Sequence, residues 1–248
     1  YNEEKNIIEL HSRIDKVFAS LNRKYELLFV DNGSSDQSLQ MIRKLSKENQ
    51  HIKYISLTKN FGHQGGIWAG LFNTDNTCIV MDADLQHPPE IIPEILKKWE
   101  ESYKIINTQK KIDLDVRIWK RIFSSFFYSI INIFTKLKLK PGQSDFCLID
   151  SSILKIIKNL PERKKFLRGI LNSLGFNNAI VKYSSKPRKK GKSKFSFWEY
   201  INFSFDGIIS FSSFPITIFF WSGIIIALFC MSYLIFLITI ILKNIASI

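Results

Sequence analysis

Apolar positions in the first hundred residues follow two periods, one typical of a helix and one typical of an extended strand. Over residues 3–22 the apolar side chains recur every three or four positions, which predicts an amphipathic helix. Apolar runs at 25–30, 52–57 and 77–81 are short, rich in β-branched and aromatic residues, and stop at polar clusters. We therefore expect three strands in this part of the chain.

Helices are expected between and after these strands. Segment 37–48 predicts one helix, loop 58–66 opens a second that runs to about residue 72, and Pro88-Pro89 suits the first turn of a third. Strand, loop and helix thus repeat, which indicates an α/β fold with a parallel sheet. Ligands bind such sheets at the carboxyl ends of the strands, so the loops "DNGSSD", "NFGHQGG" and "DADLQH" should share one edge. None is a GxGxxG fingerprint or a P-loop, which argues against a dinucleotide dehydrogenase or an NTPase of those types.

Residues 214–242 form an almost continuous apolar stretch, and 207–242 contain no Asp, Glu, Lys, Arg or His. Since roughly 20 apolar residues cross a bilayer, this stretch predicts a transmembrane helix, with a buried helix of a soluble protein as the alternative. Its C-terminal position excludes a secretory signal. The preceding segment 196–213 places aromatic residues among polar ones and suits an amphipathic helix in the membrane interface.

Charge is unevenly distributed along the chain. The formal net charge is +13, and Lys243 is the one charged residue after Asp206, so residues 1–206 carry +12. Lys and Arg crowded before the apolar stretch favour a cytoplasmic body attached to an integral membrane anchor. The three cysteines lack disulfide or metal spacing, which indicates reducing surroundings. Nucleic acid binding is not supported, because a membrane span follows and no reading motif is present.

Two aspartates directly follow the third predicted strand. Side chains alternate along an extended backbone, so Asp82 and Asp84 should lie on the same side. With the amide oxygen of Gln86 they make an all-oxygen set that suits Mg²⁺ or Mn²⁺. A solvated turn is the alternative interpretation of such a pair.

Asp31 ends the first predicted strand on the same edge. A carboxylate there can accept hydrogen bonds from a base or a ribose, as in other nucleotide-binding α/β sheets. Its alternative role is to form a turn or to cap a helix. Residues 1–4 belong to the same edge if a further strand precedes them, which we expect from the abrupt start of the sequence.

A resemblance to a known family rests on eight short motifs and on their order. The motifs are "YNEE", "VDNGSSD", "NFGHQ", "MDADLQHPPE", "WKRIFSSFFYSIIN", "SDFCLID", "LPERKKFLRGI" and "GKSKF". Over nearly the whole chain their combination resembles the family 2, GT-A-fold polyprenyl-phosphate glycosyltransferases, which include dolichyl-phosphate mannose synthases and bacterial GtrB/ArnC-like enzymes.

The resemblance implies an α/β, GT-A (Rossmann-like) nucleotide-sugar-binding domain over residues 1–195 that lacks its first strand. The amphipathic segment 196–213 and the transmembrane helix 214–242 would follow it. Members of the GtrB type usually carry two membrane helices, so we expect the C-terminus to be truncated as well.

The same resemblance implies roles for individual residues. Asp82, Asp84 and Gln86 would hold Mg²⁺ or Mn²⁺ against the donor diphosphate. Residues that line the nucleotide-sugar or close over it would be Tyr1, Asn2, Glu4, Asp31, Asn60, Gln64, Asp82, Arg168, Lys192 and Lys194. Residues that bind the lipid phosphate would be Lys110, Arg121 and Ser125. Asp145 would stand next to the reacting sugar, and the residues we expect to be catalytic are Asp84, Asp145 and Arg121.

The chain departs from the family pattern at several of these positions. Lys110 stands roughly where an arginine is frequent, and it offers a point charge in place of a bidentate fork. Asn32 replaces a frequent second aspartate, Cys147 replaces a cation, and Gly65-Gly66 replaces alanines. Segment 182–194 holds seven cations and no acid, so it could close over the diphosphate or attract anionic lipids. These departures leave the identity of the donor open.

The implied activity is an inverting transfer of a sugar from a UDP-glucose-type or GDP-mannose-type donor. The acceptor would be undecaprenyl or dolichyl phosphate at the cytoplasmic face of a membrane, such as the bacterial inner membrane. The alternatives are a catalytically silent scaffold of the same fold, a basic membrane-surface adaptor, and a processive polysaccharide synthase, although no Q-x-x-R-W motif is present. The oligomeric state, a homo-oligomer included, stays open.

Overall fold

The computed structural model describes residues 1–111, 142–161, 166–184 and 214–246. Its helices are α1 (Ile7–Leu21), α2 (Ser38–Glu48), α3 (Gly62–Phe72), α4 (Ile92–Glu100), α5 (Ser151–Lys158), α6 (Leu167–Ser173) and α7 (Phe214–Ala246), with a 3₁₀ turn at Pro89–Ile91. Its strands are β1 (Leu27–Asp31), β2 (Ile52–Ser56), β3 (Cys78–Val80), β4 (Ile105–Lys110), β5 (Gln143–Ile149) and β6 (Asn178–Tyr183). The expected α/β class is confirmed, and the elements predicted in the first hundred residues are present to within a few residues at each end.

Helix α1 shows why the periodicity of the sequence was informative. Its apolar stripe Ile7, Leu10, Ile14 and Val17 is buried, as a 3.6-residue period requires of a helix lying on a sheet. The helix ends at Asn22, which adopts a left-handed conformation with φ 49° and so stops the regular backbone.

The described strands form two sheets, one of two strands (β1-β2) and one of four, and the four-stranded sheet is mixed, which corrects the expectation of a single parallel sheet. Strands β1 and β2 pair in parallel, as predicted. Strand β3, expected in the same parallel arrangement, instead pairs antiparallel with β5 within a sheet of order β3-β5-β4-β6. The reason is that residues 143–149 form a buried strand, which the motif-based interpretation of this segment did not assign. Strands β4 and β6 are again parallel.

The four-stranded sheet is covered on both faces. Successive residues of β5 point to opposite sides: Leu148 packs with Ile106 and Phe146, whereas Ile149 packs with Ile105 and the helices α3, α5 and α6. These side chains are almost completely buried, and each such burial stabilises the fold by about 1.5–3 kcal/mol. Strand β5 therefore lies in the best-packed part of the described chain.

Helix α7 differs from the others because its side chains are exposed. Its segment Ile216–Ile245 has 30 residues, and the most apolar 18-residue window within it has a mean hydropathy of 2.9 and is not buried against the described protein. At 1.5 Å per residue it spans about 45 Å, more than the roughly 30 Å of a hydrocarbon core. Within the described ranges it is the one helix with this length and composition. The predicted amphipathic segment 196–213 lies outside the described residues.

Candidate functional site

The loops that follow β1 and β2 are joined by the side chain of Asn32. Its Oδ1 accepts a hydrogen bond from the backbone N–H of Phe61 (2.9 Å), and its Nδ2 donates to the carbonyl oxygen of Gly62 (2.8 Å) and to Oδ1 of Asn60 (3.1 Å). A carboxylate could not donate the latter two bonds. The replacement of aspartate by Asn32 is thus matched to the way in which this loop is held.

Asp31 occupies the end of β1 and is 3% exposed. Both of its carboxylate oxygens accept from the backbone N–H of Ser34, at 3.3 and 3.2 Å. This is the geometry of a turn, the alternative that the sequence left open, and it also holds the carboxylate in one position. The role of Asp31 towards a nucleotide stays a prediction.

The first residues of the chain lie against the same loop. The backbone N–H of Asn2 donates to Oγ of Ser34 (2.9 Å), and Oδ1 of Asn2 accepts from the N–H of Ser35 (2.9 Å). The carboxylate of Glu4 accepts from the N–H of Gln37 (3.1 Å). Tyr1 is half exposed beside them. The predicted association of residues 1–4 with the loop after β1 is therefore confirmed.

Asp82 and Asp84 lie in a turn beyond the end of β3 at Val80. The alternation of an extended strand, from which we expected the two side chains to share a side, therefore does not apply to them. Oδ1 of Asp84 accepts from the backbone N–H of Gln86 (3.0 Å), and Leu85 between them has a left-handed φ of 62°. The pair is placed by a tight turn.

The loop after β3 contacts α3 through His63. Nε2 of His63 lies 2.9 Å from Oδ1 of Asp82, and its Nδ1 lies 3.6 Å from Oδ2 of Asp145. Burial would lower the pKa of His63, but the hydrogen bond to Asp82 and the charges of both acids raise it overall. The imidazole thus joins the acid after β3 to the acid on β5.

Asp82 is strongly acidic in this environment. Burial would raise its pKa, but the hydrogen bond from His63 and the positive charges of His63 and Arg168 lower it to about 2. Nδ1 of the buried His87 accepts from the backbone N–H of Asp82 (3.0 Å), and burial lowers the pKa of His87 against the charges of Asp82, Asp84 and Asp145. Asp82 is therefore an anion at neutral pH.

The oxygen atoms of this turn fit a hard divalent cation. The side chain of Asp82 is 36% exposed, so an ion can reach it. A carboxylate that accepts one N–H bond keeps further lone pairs for a metal, which holds for both Asp82 and Asp84. Carboxylate and amide oxygens are the ligands that Mg²⁺ and Mn²⁺ prefer. The donor set of Asp82, Asp84 and Gln86 therefore suits the predicted ion.

Asp145 on β5 is 4% exposed and is bound by two elements. Arg168 on α6 donates to Oδ1 from Nε (2.8 Å) and to Oδ2 from a terminal nitrogen (3.0 Å), and its other terminal nitrogen donates to the carbonyl of Gln143 (2.6 Å). Nε2 of Gln64 donates to Asp145 (3.3 Å), and its Oε1 accepts from the N–H of Leu167 (3.0 Å). Arg168, expected to contact the donor diphosphate, is thus engaged with Asp145 in this structure.

The predicted acceptor residues are only partly described. Lys110 ends β4, and its backbone N–H donates to the carbonyl of Gly142 (2.9 Å). Gly142 has φ +77°, and a Cβ there would come within 2.9 Å of the carbonyl oxygen of Lys110, so this junction needs glycine. The predicted residues outside the described ranges are Arg121, Ser125, Lys192 and Lys194.

Sequence reasoning missed two histidines that the structure places at this edge. His63 and His87 both lie inside quoted motifs, "NFGHQ" and "MDADLQHPPE". Both histidines are polar residues in loops that follow predicted strands, which is the pattern that marked the acids. They were not predicted because Mg²⁺ and Mn²⁺ prefer oxygen ligands. The contact between His63 and Asp82 depends on where α3 begins, which no local pattern encodes.

Comparisons with known proteins identify a family and several relatives. Residues 1–157 match the family described as Glycosyl transferase family 2. The protein named "Uncharacterized glycosyltransferase sll0501" of Synechocystis sp. is 36% identical over 239 residues, covering 96% of this chain and 75% of that protein. The "Prophage bactoprenol glucosyl transferase homolog" of Escherichia coli is 31% identical over 229 residues, covering 92% and 74% respectively. The crystal structure of S. aureus TarS 1-349 aligns at a TM-score of 0.46 and 20% identity, covering 75% of this chain and 56% of that one.

A mixed α/β fold of the GT-A kind, with polar strand-end loops meeting at one edge, defines the class of molecule. The chain belongs to glycosyl transferase family 2, because the family match extends over more than half of it. It is a glycosyltransferase.

Proposed function

We propose that this glycosyltransferase moves a hexose from a nucleotide-diphosphate sugar, of the UDP-glucose or GDP-mannose type, to a polyprenyl phosphate. The observation that carries the proposal is the position of His63, 2.9 Å from Asp82 and 3.6 Å from Asp145. The acid expected at the donor diphosphate and the acid expected beside the sugar are therefore neighbours. Relatives named bactoprenol glucosyl transferase, at 30 and 31% identity, support the lipid acceptor.

The donor would bind along the edge formed by the loops after β1, β2 and β3. Asp31 would accept hydrogen bonds from the base or ribose. Because its carboxylate is already held by the turn with Ser34, binding would cost little conformational entropy at this side chain. The nucleotide would have Tyr1, Asn2 and Glu4 on one side. The loop that contains Asn60 and Gln64 would lie on its other side. The bonds from Asn32 to this loop support such a preformed cleft.

The diphosphate would lie at the turn after β3. Asp82, Asp84 and Gln86 would hold Mg²⁺ or Mn²⁺ there, and the bound ion would stabilise the negative charge that builds on the leaving diphosphate. Asp82 is an anion at neutral pH, as a carboxylate that binds the ion must be, and its side chain is 36% exposed, which supports access of the ion. Lys192 and Lys194 would add positive charge from the basic segment.

The acceptor phosphate would attack the anomeric carbon from the face opposite the leaving group, which inverts the configuration. Because the phosphate is already anionic, it needs positioning by cations more than deprotonation by a base. Lys110, Arg121 and Ser125 would supply that positioning. Asp145, fixed by the two bonds from Arg168, would accept hydrogen bonds from the hydroxyl groups of the sugar.

The apolar helix α7 supports a location of the reaction at a membrane. The catalytic unit would span residues 1–195, the interface segment 196–213 and the membrane helix 214–242, with the catalytic unit on the cytoplasmic face of a bacterial inner membrane. The 30-residue apolar helix and the excess of Lys and Arg before it support this orientation. A lipid phosphate lies at the interface, so an anchored catalytic unit reaches it without extracting the lipid.

The test is transfer by membranes that contain the full-length protein, supplied with Mn²⁺, undecaprenyl phosphate and a panel of UDP- and GDP-sugars. Mass spectrometry of the lipid extract should show one sugar–phosphate–polyprenol. Asp84→Asn should abolish it, whereas Asp75→Asn should not, because Asp75 is an exposed acid paired with Lys158 away from the site.

Three results would contradict parts of this proposal. Full turnover by Asp84→Asn would contradict the proposal that Asp84 binds a metal ion needed for transfer. A protein that forms no product with any donor and shows no Mn²⁺-dependent donor binding by calorimetry would be a silent scaffold of the same fold. Binding to anionic vesicles that ignores nucleotide-sugars would indicate a membrane-surface adaptor instead.

A further inference from the structure

A second cluster of metal-binding side chains lies apart from the contacts that define the candidate site. His11 and Asp15 are one turn apart on α1 and so share a face of the helix. His51 precedes β2 directly, and the three ligand atoms lie within 4.8 Å of one another. None of the hydrogen bonds at the strand-end loops involves these residues. The cluster therefore needs an explanation of its own.

The two imidazoles face one carboxylate without forming hydrogen bonds to it. Nε2 of His11 is 3.1 Å from Oδ2 of Asp15, and Nε2 of His51 is 3.6 Å from Oδ1. Both Nε2 atoms are buried and have no hydrogen-bond partner. Buried polar nitrogens are normally satisfied, so a pair of unsatisfied nitrogens beside one carboxylate points to a missing ligand. A cation between the three atoms would satisfy both.

Tyr25 holds the carboxylate in place. Its hydroxyl donates to Oδ1 of Asp15. Its ring stacks on that of Phe18 at a centroid distance of 4.3 Å. It also contacts the ring of His51 in a tilted arrangement, at a centroid distance of 5.0 Å. Hydrogen bonds of this kind orient the carboxylate ligands of protein metal sites.

We propose that His11, Asp15 and His51 form a Zn²⁺ site that is separate from the Mg²⁺ or Mn²⁺ site proposed at Asp82. Two imidazole nitrogens and one carboxylate oxygen are a donor set that zinc prefers, whereas the all-oxygen set suits harder ions. Bonds of 2.0–2.1 Å in a tetrahedron separate ligand atoms by about 3.3 Å. The nearest oxygens of Asp15 are close to that value, with Oδ2 at 3.1 Å from Nε2 of His11 and Oδ1 at 3.6 Å from Nε2 of His51, and one ligand atom from each residue lies within 4.8 Å of the other two.

The fourth ligand of this site would be water. The side chains of Asp15 and His51 are 44 and 36% exposed, so solvent reaches the outer side of the cluster. Zinc there would connect α1 to the turn before β2, segments that are 40 positions apart in the sequence (His11 to His51). Because β2 pairs with β1, the ion would fasten the part of the fold that carries Asp31 and Asn32. Its role would be structural.

The test uses the full chain in detergent with the Asp84→Ala substitution, so that the other proposed metal site does not contribute. Titration with Co²⁺, a spectroscopic substitute for Zn²⁺, should produce the intense visible bands of a tetrahedral complex at one ion per chain. Zn²⁺ should remove the bands and raise the melting temperature. Tyr25→Phe should weaken Co²⁺ affinity about 10–100-fold, as loss of an orienting hydrogen bond does elsewhere.

Substitutions at the ligands make the assignment specific. In the Asp84→Ala background, His11→Gln and His51→Gln should each abolish the Co²⁺ bands and the Zn²⁺-induced rise in melting temperature. Glu48→Gln, an exposed acid on the same half of the fold, should leave both unchanged. Circular dichroism identifies variants that are folded. Absence of Co²⁺ bands and of any Zn²⁺-induced shift in the parent protein would overturn the proposal, as would bands that persist in both histidine variants.

Discussion

The guanidinium of Arg168 binds the carboxylate of Asp145 through two parallel hydrogen bonds of 2.8 and 3.0 Å. Asp145 is 4% exposed, so this charge has little water to replace a lost partner. A buried carboxylate stripped of its partner is costly, whereas exposed ion pairs contribute little. Arg168 on α6 therefore holds the carboxylate of Asp145, which lies on the preceding strand β5, in one orientation.

Arg168→Met should therefore destabilise the protein by about 3–5 kcal/mol, because the buried carboxylate of Asp145 loses both bonds from the guanidinium and keeps the longer contacts with Gln64 and His63. Arg13→Met is the matched control, since Arg13 makes a similar two-bond pair with Glu90, whose side chain is 56% exposed. We expect that variant to lose only about 0–1 kcal/mol. Thermal unfolding of both variants in detergent measures the difference, and equal losses would show that burial does not decide the strength of the Arg168 pair.

Asn32→Asp should destabilise the loop before α3. The substitution replaces two N–H donors with oxygen, so the contacts with Gly62 and Asn60 become repulsive in a site that is 8% exposed. We expect a loss of about 1–3 kcal/mol. Asn73→Asp is the control, because Asn73 also donates to a carbonyl, that of Ala69, but is exposed. An equal fall in melting temperature for Asn73→Asp and Asn32→Asp would show that the bonds from Asn32 do not contribute more than those of an exposed asparagine.

Asp150 should make the stability of the fold sensitive to acid. Burial would raise its pKa, but hydrogen bonds from Ser152 and Trp99 and the charge of Lys104 lower it to about 2. An aspartate in the unfolded chain has a pKa of about 3.9. The contribution of Asp150 to the free energy of unfolding is therefore complete above that pH and is lost as the pH falls towards about 2.

The measurement for Asp150 is the melting temperature of the wild type and of Asp150→Asn between neutral pH and about pH 2.5. We expect the variant to be less stable by about 1–3 kcal/mol at neutral pH, because the ionised acceptor of Trp99 is lost. The gap should narrow below about pH 4. A gap that stays constant across the whole range would argue that the charge of Asp150 is not the source of its contribution.

Removal of divalent ions should stop sugar transfer. The proposed ligands Asp82, Asp84 and Gln86 are oxygen donors, so EDTA should abolish activity and Mg²⁺ or Mn²⁺ should restore it. Radiolabelled sugar transferred to the lipid extract gives the readout. His11→Gln provides the control, because it alters the other proposed site and should leave the Mn²⁺ requirement unchanged. Activity that survives EDTA would contradict the metal-dependent mechanism.

Association with the membrane should depend on α7 more than on charge. Its 30-residue apolar segment should keep the protein in the membrane pellet after an alkaline carbonate wash. A wash with about 1 M salt shortens the Debye length to about 3 Å and so screens the +12 of residues 1–206. We expect no release in salt either. Release by salt alone would identify a surface-bound protein held by its basic residues.

Local periodicity was sufficient for α1, β1 and β2, because each carries its own apolar pattern and ends at a turn-forming residue. It was insufficient for the partner of β3. The antiparallel pairing of Cys78 with Ile149 joins segments that are 71 positions apart, and no pattern within either segment specifies it. Pairing of this kind is decided by which buried surfaces fit together.

The acids of the site were identified from the sequence, but their surroundings were not. Asp82 directly follows an apolar run and was therefore visible as a charge at the end of a predicted strand, whereas Asp145 was identified only through the family resemblance. The ring of His63 between them depends on α3 starting at Gly62. The engagement of Arg168 with Asp145 depends equally on the position of α6, a seven-residue helix without an obvious pattern.

Strand β5 is hydrogen-bonded on both sides, by β3 and by β4, whereas Asp82 follows a strand of only three residues. Amide protons of a doubly paired, fully covered strand exchange slowest, and those of a turn beyond a short strand exchange fast. One acid of the candidate site is thus mounted on a doubly paired strand and the other on a turn beyond a short strand. If the proposed function holds, we expect the distance between the two acids to adjust to donors of different size through movement of that turn, while the backbone of β5 stays in place.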